Sequence, residues 1–248
     1  MNVAIIAAAG QGTRLGGKRA KQFLELAGVP VIIHTLRKFE QCAAIQEVVV
    51  VLPAPDVAGF LALAGKYELR KLARVVAGGA TRGQSVWRGL QAVSAATANI
   101  IAVHDGVRPF VTPLEIERTV QAAKESGAAI LTAPSVDTIK EVENNKVVRT
   151  LLRTRLQRAL TPQCFRYELL RRAFEQSPEL IENATDDSSL VESLGVTVTT
   201  VEGDARNIKI TRPEDIALAE SILRQETEHR RQETGEKQNS GVRIQNSE

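Results

Sequence analysis

Residues Val3 to Ala9 form an unbroken apolar run, rich in alanine and β-branched residues, that stops at Gly10-Gln11-Gly12-Thr13-Arg14-Leu15-Gly16-Gly17-Lys18. Lys21-Gln22 follows closely. A short apolar run ended by glycines reads as a buried strand entering a loop. Glycines leave backbone N–H groups unhindered, so an anion can lie against them. Arg14, Lys18 and Lys21 add positive charge to the same segment. The opening therefore reads as a phosphate cradle at the carboxyl end of a strand.

Two common glycine loops fit it less well. The dinucleotide fingerprint G-x-G-x-x-G needs a small third residue where this chain has Leu15, and no acidic residue ends a second strand about 20 residues on. The nucleoside-triphosphate motif G-x-x-x-x-G-K-[ST] is matched by Gly12, Gly17 and Lys18, but Arg19 stands where a hydroxyl would reach Mg²⁺. A plain glycine turn accounts for the glycines and leaves the three cations unexplained.

Apolar runs at Asn2–Ala8, Glu47–Leu52, Arg74–Ala77, Asn99–His104, Ala128–Ala133 and Thr197–Glu202 read as strands. Helical patterns at Val31–Glu40, Asp56–Ala64, Gly83–Ala95, Pro113–Ser126, Glu168–Glu175 and Pro213–Glu226 alternate with them. Continuous apolar strands, mostly followed by helices, predict an α/β fold: a mostly parallel, Rossmann-like sheet flanked by helices on both faces. Ligands in such sheets bind beyond the carboxyl ends of the strands. Gly10, Gly78-Gly79 and Asp105 should then share one edge.

Residues 136–155 break the alternation. Two polar strands around the turn signal Asn144-Asn145 predict an inserted β-hairpin. It reads either as a solvated hairpin or as an arm that reaches a neighbouring subunit, and because an isolated hairpin is marginal in water its packing on something is favoured. The chain of 248 residues reads as one domain over 1–224. After Leu223 the apolar periodicity ends, and a frayed helix followed by a disordered polar tail is expected over 225–248.

The net charge is only +3 and 4% of residues are aromatic, so a nucleic-acid surface is not expected. An isoelectric point near 9.0 suits a small anionic substrate. With no long apolar segment, no membrane association is expected, and a cytoplasmic location is. Cys42 and Cys164 are far apart and lack zinc-ligand spacing, so both read as buried apolar residues.

Two further segments carry chemistry. Gly78-Gly79 precedes a Thr81 cap with Arg82, Gln84 and Ser85 in the first turns of a helix, which offers a second anion site or an ordinary capped helix. His104-Asp105-Gly106-Val107-Arg108-Pro109 ends a strand with a carboxylate and a guanidinium. Asp105 is placed to hold Mg²⁺ on a triphosphate, or to end the strand in a salt bridge with Arg108.

These residues, together with Asp137-Thr138, Ala159-Leu160-Thr161-Pro162-Gln163, Thr185-Asp186-Asp187 and Asn207-Ile208-Lys209-Ile210-Thr211, resemble in order the 2-C-methyl-D-erythritol 4-phosphate cytidylyltransferases. The resemblance covers Asn2 to about Leu223. It implies a Mg²⁺-dependent reaction of CTP with methylerythritol phosphate in the non-mevalonate isoprenoid pathway, by a homodimer joined through the hairpin arm. On that resemblance Arg14, Lys21 and Lys209 are catalytic. Ala8, Ala9, Gly10, Gly12, Lys18, Gly79, Arg82, Ser85 and Asp105 meet the CTP, with Asp105 facing the metal. Arg108, Thr138, Arg153, Thr161 and Lys209 bind the second substrate, part of this set coming from the partner subunit. Counting back from Thr161 selects Arg153, with Arg155 as its rival. A relative acting on another polyol phosphate, such as ribitol 5-phosphate, would share the CTP residues. Asp186-Asp187 reads as a helix N-terminus.

Overall fold

The computed structural model describes residues 1–10, 21–176 and 178–242, the backbone alone being described at 178, 183, 213 and 229–242. Its centre is a seven-stranded sheet. In chain order the elements are β1 (Val3–Ala7), β2 (Glu25–Leu26), β3 (Val29–Pro30), α1 (Val31–Gln41), β4 (Glu47–Leu52), α2 (Val57–Ala64), β5 (Leu72–Ala77), α3 (Arg82–Gln91), β6 (Ile100–Asp105), α4 (Pro113–Ser126), β7 (Ala128–Pro134), β8 (Lys140–Glu143), β9 (Lys146–Thr150), β10 (Gln157–Arg166), α5 (Tyr167–Phe174), α6 (Pro178–Asn183), α7 (Asp187–Glu192), β11 (Thr199–Glu202) and α8 (Pro213–Val242). The sheet order is β11-β7-β10-β6-β1-β4-β5. Neighbours pair in parallel except β10, which runs antiparallel to both β6 and β7.

β1, β4, β6 and β7 are buried on both faces, while β5 and β11 at the sheet edges are partly exposed, and alternation along each strand divides its residues between two layers. Ala4 and Ile6 of β1, with Val48, Val50 and Leu52 of β4, pack against α1, α2 and α4. Val3 and Ile5, with Val49 and Val51, pack on the other side with Val86 and Leu90 of α3, Leu170 of α5 and Leu190 of α7. Cys42 and Cys164 are buried and free, and burial raises both thiols' pKa.

Local chemistry sets the element ends. α4 begins at a Thr112 capping box, in which the Thr112 hydroxyl accepts from Glu115 N–H and the Glu115 carboxylate accepts from Thr112 N–H, and it ends at Gly127 with φ 93°. Asn144 and Asn145, at φ 48° and 62°, turn β8 into β9. A second small hairpin, β2–β3, turns at Ala27 and Gly28. Ile210, Ala219 and Ile222 from the α8 region pack with Leu26, Val31, Val107 and Phe110 as a third apolar cluster.

Every strand and helix expected from the sequence is present, β4 and α4 with the expected bounds and the others with shifted ends. The last expected helix is α8, which continues to Val242. The residues after Leu223 lack an apolar stripe but are rich in Glu, Gln, Arg and Lys, which favour helix intrinsically. β10, the β2–β3 hairpin and α6 are additions to the sequence reading, and α7 begins at the helix N-terminus expected at Asp186-Asp187.

Candidate active site

β1, β5 and β6 are parallel members of the sheet, so their carboxyl ends open on one edge. A cavity of about 380 Å³ lies there, lined by Ala7 to Gly10 after β1, Gly79 to Arg82 and Ser85 around the start of α3, Asp105 and Val107 after β6, and Lys21, Gln22 and Lys209. This places Ala8, Ala9, Gly10, Lys21, Gly79, Arg82, Ser85, Asp105 and Lys209 of the expected set around one space. Gly12, Arg14 and Lys18 lie outside the described residues.

The second glycine loop is shaped by α3. The Thr81 hydroxyl accepts from Gln84 N–H at 3.1 Å, capping the helix. Ser85 Oγ accepts from Gly79 N–H at 3.1 Å and donates to the Thr81 carbonyl at 2.8 Å. Ser85 thus fixes the loop from inside. A Cβ on Gly78 would collide with the Ala9 Cβ and stand 2.8 Å from Ser85 Oγ, so the two loops approach each other closely only because this position is glycine.

Asp105 is the one carboxylate among the described cavity-lining residues. Lys209 Nζ stands 2.9 Å from its Oδ2, Arg108 Nε 3.2 Å from the same oxygen, and Arg82 Nε 3.6 Å from Oδ1. Burial pushes the Asp105 pKa up, but Lys209, Arg82 and Arg108 outweigh it and hold the carboxyl well below the usual carboxylate range. Arg82 also reaches Asp187 Oδ2 at 2.7 Å. Burial opposes its charge, and Asp187 and Asp105 more than restore it, so its pKa is raised. The cavity wall therefore carries more fixed positive than negative charge before any anion enters.

The remaining expected contacts lie elsewhere. Arg108 is not part of the cavity wall; its guanidinium braces Asp105 from behind and donates to the Asn207 carbonyl at 2.8 Å. Thr161 is buried, and its hydroxyl pairs with Asp105 N–H at 3.2 Å and His104 Nδ1 at 3.0 Å, so it too stands behind the wall. Thr138 and Arg153 are exposed on the arm and do not line this chain's cavity; Arg153 donates to the Val136 carbonyl at 3.3 Å. Arg155, its rival, is exposed there as well.

Four residues join the site unforeseen as such. Asp187 is Arg82's partner, while its neighbour Asp186 accepts from Ser189 N–H as the expected helix cap. Asn207 bridges Arg108 and the Thr161 carbonyl. Gln22 is fully buried at the cavity, with neither amide atom hydrogen-bonded among the described residues. Burial lowers the His104 pKa to about 4, so its ring is neutral near pH 7. Gln22 and Asn207 belong to quoted motif segments, but only three-dimensional packing reveals their burial.

Mg²⁺ takes one or two carboxylates together with phosphate oxygens and waters. Asp105 beside the glycine loops offers such a donor set, and the described residues hold no cluster of three acidic, His or Cys groups that would form a cage without phosphate.

A mostly parallel α/β sheet with glycine loops, converging cations and, among the described residues, a lone carboxylate at its strand ends defines a nucleotidyltransferase-type domain. The family model described as 2-C-methyl-D-erythritol 4-phosphate cytidylyltransferase matches residues 2–225, and the chain belongs to that family. A relative of that name from Acidobacterium capsulatum is 44% identical over 230 residues, spanning 89% of this chain and 96% of the relative. The solved 4-diphosphocytidyl-2C-methyl-D-erythritol synthase of Anaerococcus prevotii superposes with a TM-score of 0.79 at 32% identity, covering 90% of this chain and 96% of that one. The 2-C-methyl-D-erythritol 4-phosphate cytidylyltransferase structure from Thermus thermophilus gives 0.70 at 36% identity, with 89% and 98% covered.

Proposed function

We propose that this chain transfers the cytidylyl group of CTP to 2-C-methyl-D-erythritol 4-phosphate, giving 4-diphosphocytidyl-2-C-methyl-D-erythritol and pyrophosphate, a step of the non-mevalonate isoprenoid pathway. The observation that carries the reading is the ring of Lys209, Arg82 and Arg108 on Asp105 at the edge of a glycine-lined cavity. A substrate phosphate oxygen attacks the α-phosphorus of CTP in line with the departing pyrophosphate; one P–O bond forms and one breaks. Such a step needs positioning and charge neutralisation and no covalent enzyme intermediate. In this reading Arg14, Lys21 and Lys209 meet the charge at the α-phosphorus, and the backbone around Gly10, Gly12 and Gly79 seats the nucleotide, with Lys18 assisting. Arg108 and Thr161 act through Asp105 from behind the wall.

The reading includes Mg²⁺ bound by Asp105 and the triphosphate, where it would neutralise phosphate charge. It also includes a homodimer. Val136, Val142, Val147, Val148 and Leu152 are exposed on or beside the arm, an apolar surface that a second copy would cover, bringing the partner subunit's Thr138 and Arg153 to the substrate phosphate. A cytoplasmic location completes it; among the described residues no helix is long and apolar enough to cross a membrane.

The test is pyrophosphate release from CTP and Mg²⁺ with methylerythritol phosphate and, in parallel, ribitol 5-phosphate. Release with methylerythritol phosphate alone is the expected result. Release with ribitol phosphate alone would transfer the substrate assignment to that alcohol.

A further inference from the structure

His104 is the last residue before Asp105, lies wholly buried, and takes no part in the chemistry described above. Its ring packs edge-on against Phe39, with centroids 5.0 Å apart. Both nitrogens are engaged: Nδ1 with Thr161 Oγ1 at 3.0 Å and Nε2 with the Arg108 carbonyl at 3.1 Å. We infer that His104 and Thr161 form a hydrogen-bond relay that positions Asp105 and Arg108, making both relay members positioning residues for cytidylyl transfer. The inference rests on that reading of the cavity.

The direction of every bond follows from elementary chemistry. A backbone N–H can only donate, so Asp105 N–H gives its proton to Thr161 Oγ1 at 3.2 Å. A carbonyl can only accept, so the neutral His104 ring carries its proton on Nε2 and donates it to Arg108. Nδ1 is then an acceptor, and the Thr161 hydroxyl donates to it. The two side chains, joined to each other, thus hold both ends of the turn from Asp105 to Arg108, Thr161 at the Asp105 N–H and His104 at the Arg108 carbonyl. The loop closes elsewhere as well: Asn207 Nδ2 donates to the Thr161 carbonyl at 2.9 Å, Arg108 donates to the Asn207 carbonyl, and Arg108 pairs with Asp105.

The backbone explains why Thr161 can reach this far. Pairing of β10 with β7 slips between Ala159 and Gln163, and Thr161 sits inside that irregularity. Bulges re-aim a side chain, here toward the end of β6. Without the Thr161 hydroxyl, the Asp105 N–H and His104 Nδ1 both lose their partners in a buried site. The carboxylate that gathers Lys209, Arg82 and Arg108 would then lose its fixed place.

Ring-¹⁵N NMR of histidine-labelled protein at neutral pH tests the relay without reference to activity. A neutral ring protonated on Nε2, whose Nδ1 signal moves to the value of a free acceptor in Thr161→Val, is expected. In the same variant kcat should fall about tenfold or more while the KM for CTP changes less than about threefold. Thr161→Ser should restore both signals. A proton on Nδ1, or wild-type turnover from Thr161→Val, overturns the relay. Should Thr161→Val fail to fold, the wild-type tautomer decides. Absence of pyrophosphate release from the wild-type protein would defeat the transferase reading alone and leave the ring spectrum to judge the relay.

Discussion

Lys209 Nζ lies 2.9 Å from Asp105 Oδ2, a contact that joins the segment after β11 to the tip of β6 across the mouth of the cavity. The pair is half open, since the lysine side chain is 36% exposed and the aspartate 8%. An ammonium held this way is parked beside the cavity and free to turn toward an incoming phosphate, while Arg108 and Arg82 keep the carboxylate compensated.

Lys209→Ala should therefore damage turnover far more than folding. Loss of one preorganised donor to developing charge costs roughly 10²–10³ in kcat. Arg108 and Arg82 remain to pair Asp105, so the circular dichroism and melting temperature should stay close to the parent. Lys21→Ala and Arg14→Ala should lower turnover similarly. Wild-type pyrophosphate release from Lys21→Ala would remove it from the chemistry.

The acid side of the stability profile should reflect two buried groups. His104 is neutral when folded, with a pKa near 4 against about 6.5 in the unfolded chain. Between those values the unfolded state binds the extra proton, so stability falls as pH drops from about 6.5 to 4, by on the order of 3 kcal/mol. Asp105 acts lower. Its folded pKa is depressed, so its contribution is present above about pH 4 and is lost as the pH falls further. Urea midpoints at pH 7, 5 and 4 measure the first window. A His104→Asn variant with an unchanged slope there would assign the loss to other groups.

The approach of the two glycine loops gives a steric prediction. Gly78→Ala puts a methyl against Ala9 and Ser85, on both of which the cavity wall depends. Overpacking costs roughly 1–3 kcal/mol, and relief by shifting the Gly79 loop would spoil the nucleotide site. CTP affinity, by calorimetry, should fall about tenfold or more, while Gly59→Ala, in open space on α2, should be silent. Unchanged CTP binding in Gly78→Ala would show that the loop gap is not needed.

The frame of the molecule was legible because its signals are local. Val3–Ala7 is apolar throughout, Glu47–Leu52 is apolar after its first residue, and Thr112 to Gly127 carries both a capping box and a terminating glycine. β10 was hidden for the opposite reason. Pro162 argues against a strand, and Gln157, Arg158 and Gln163 interrupt any apolar pattern, so only its neighbours β6 and β7 make it one. At the site, residue types that bear charge stood out. What their partners would be did not: nothing near Thr161 in sequence shows that its hydroxyl meets His104 and Asp105, and Arg82 shows no link to Asp187 across 105 residues of sequence.

The arm offers the most demanding test, because it asks whether one site is built from two chains. Among the described residues β8 and β9 pair with each other and with no other strand, and Val142, Val147 and Val148 stand exposed on them. Deletion of residues 137–150 should convert a dimer to a monomer by sedimentation and abolish activity together. Complementation is sharper. Lys209→Ala chains and Arg153→Ala chains should each be nearly inactive alone. If Arg153 serves the partner's cavity, a mixed dimer has one site with both defects and one site with neither. Random pairing of equal amounts then restores about one quarter of wild-type sites. Mixing that restores nothing, from chains shown to exchange, would place Arg153 in its own subunit's cavity or outside the reaction.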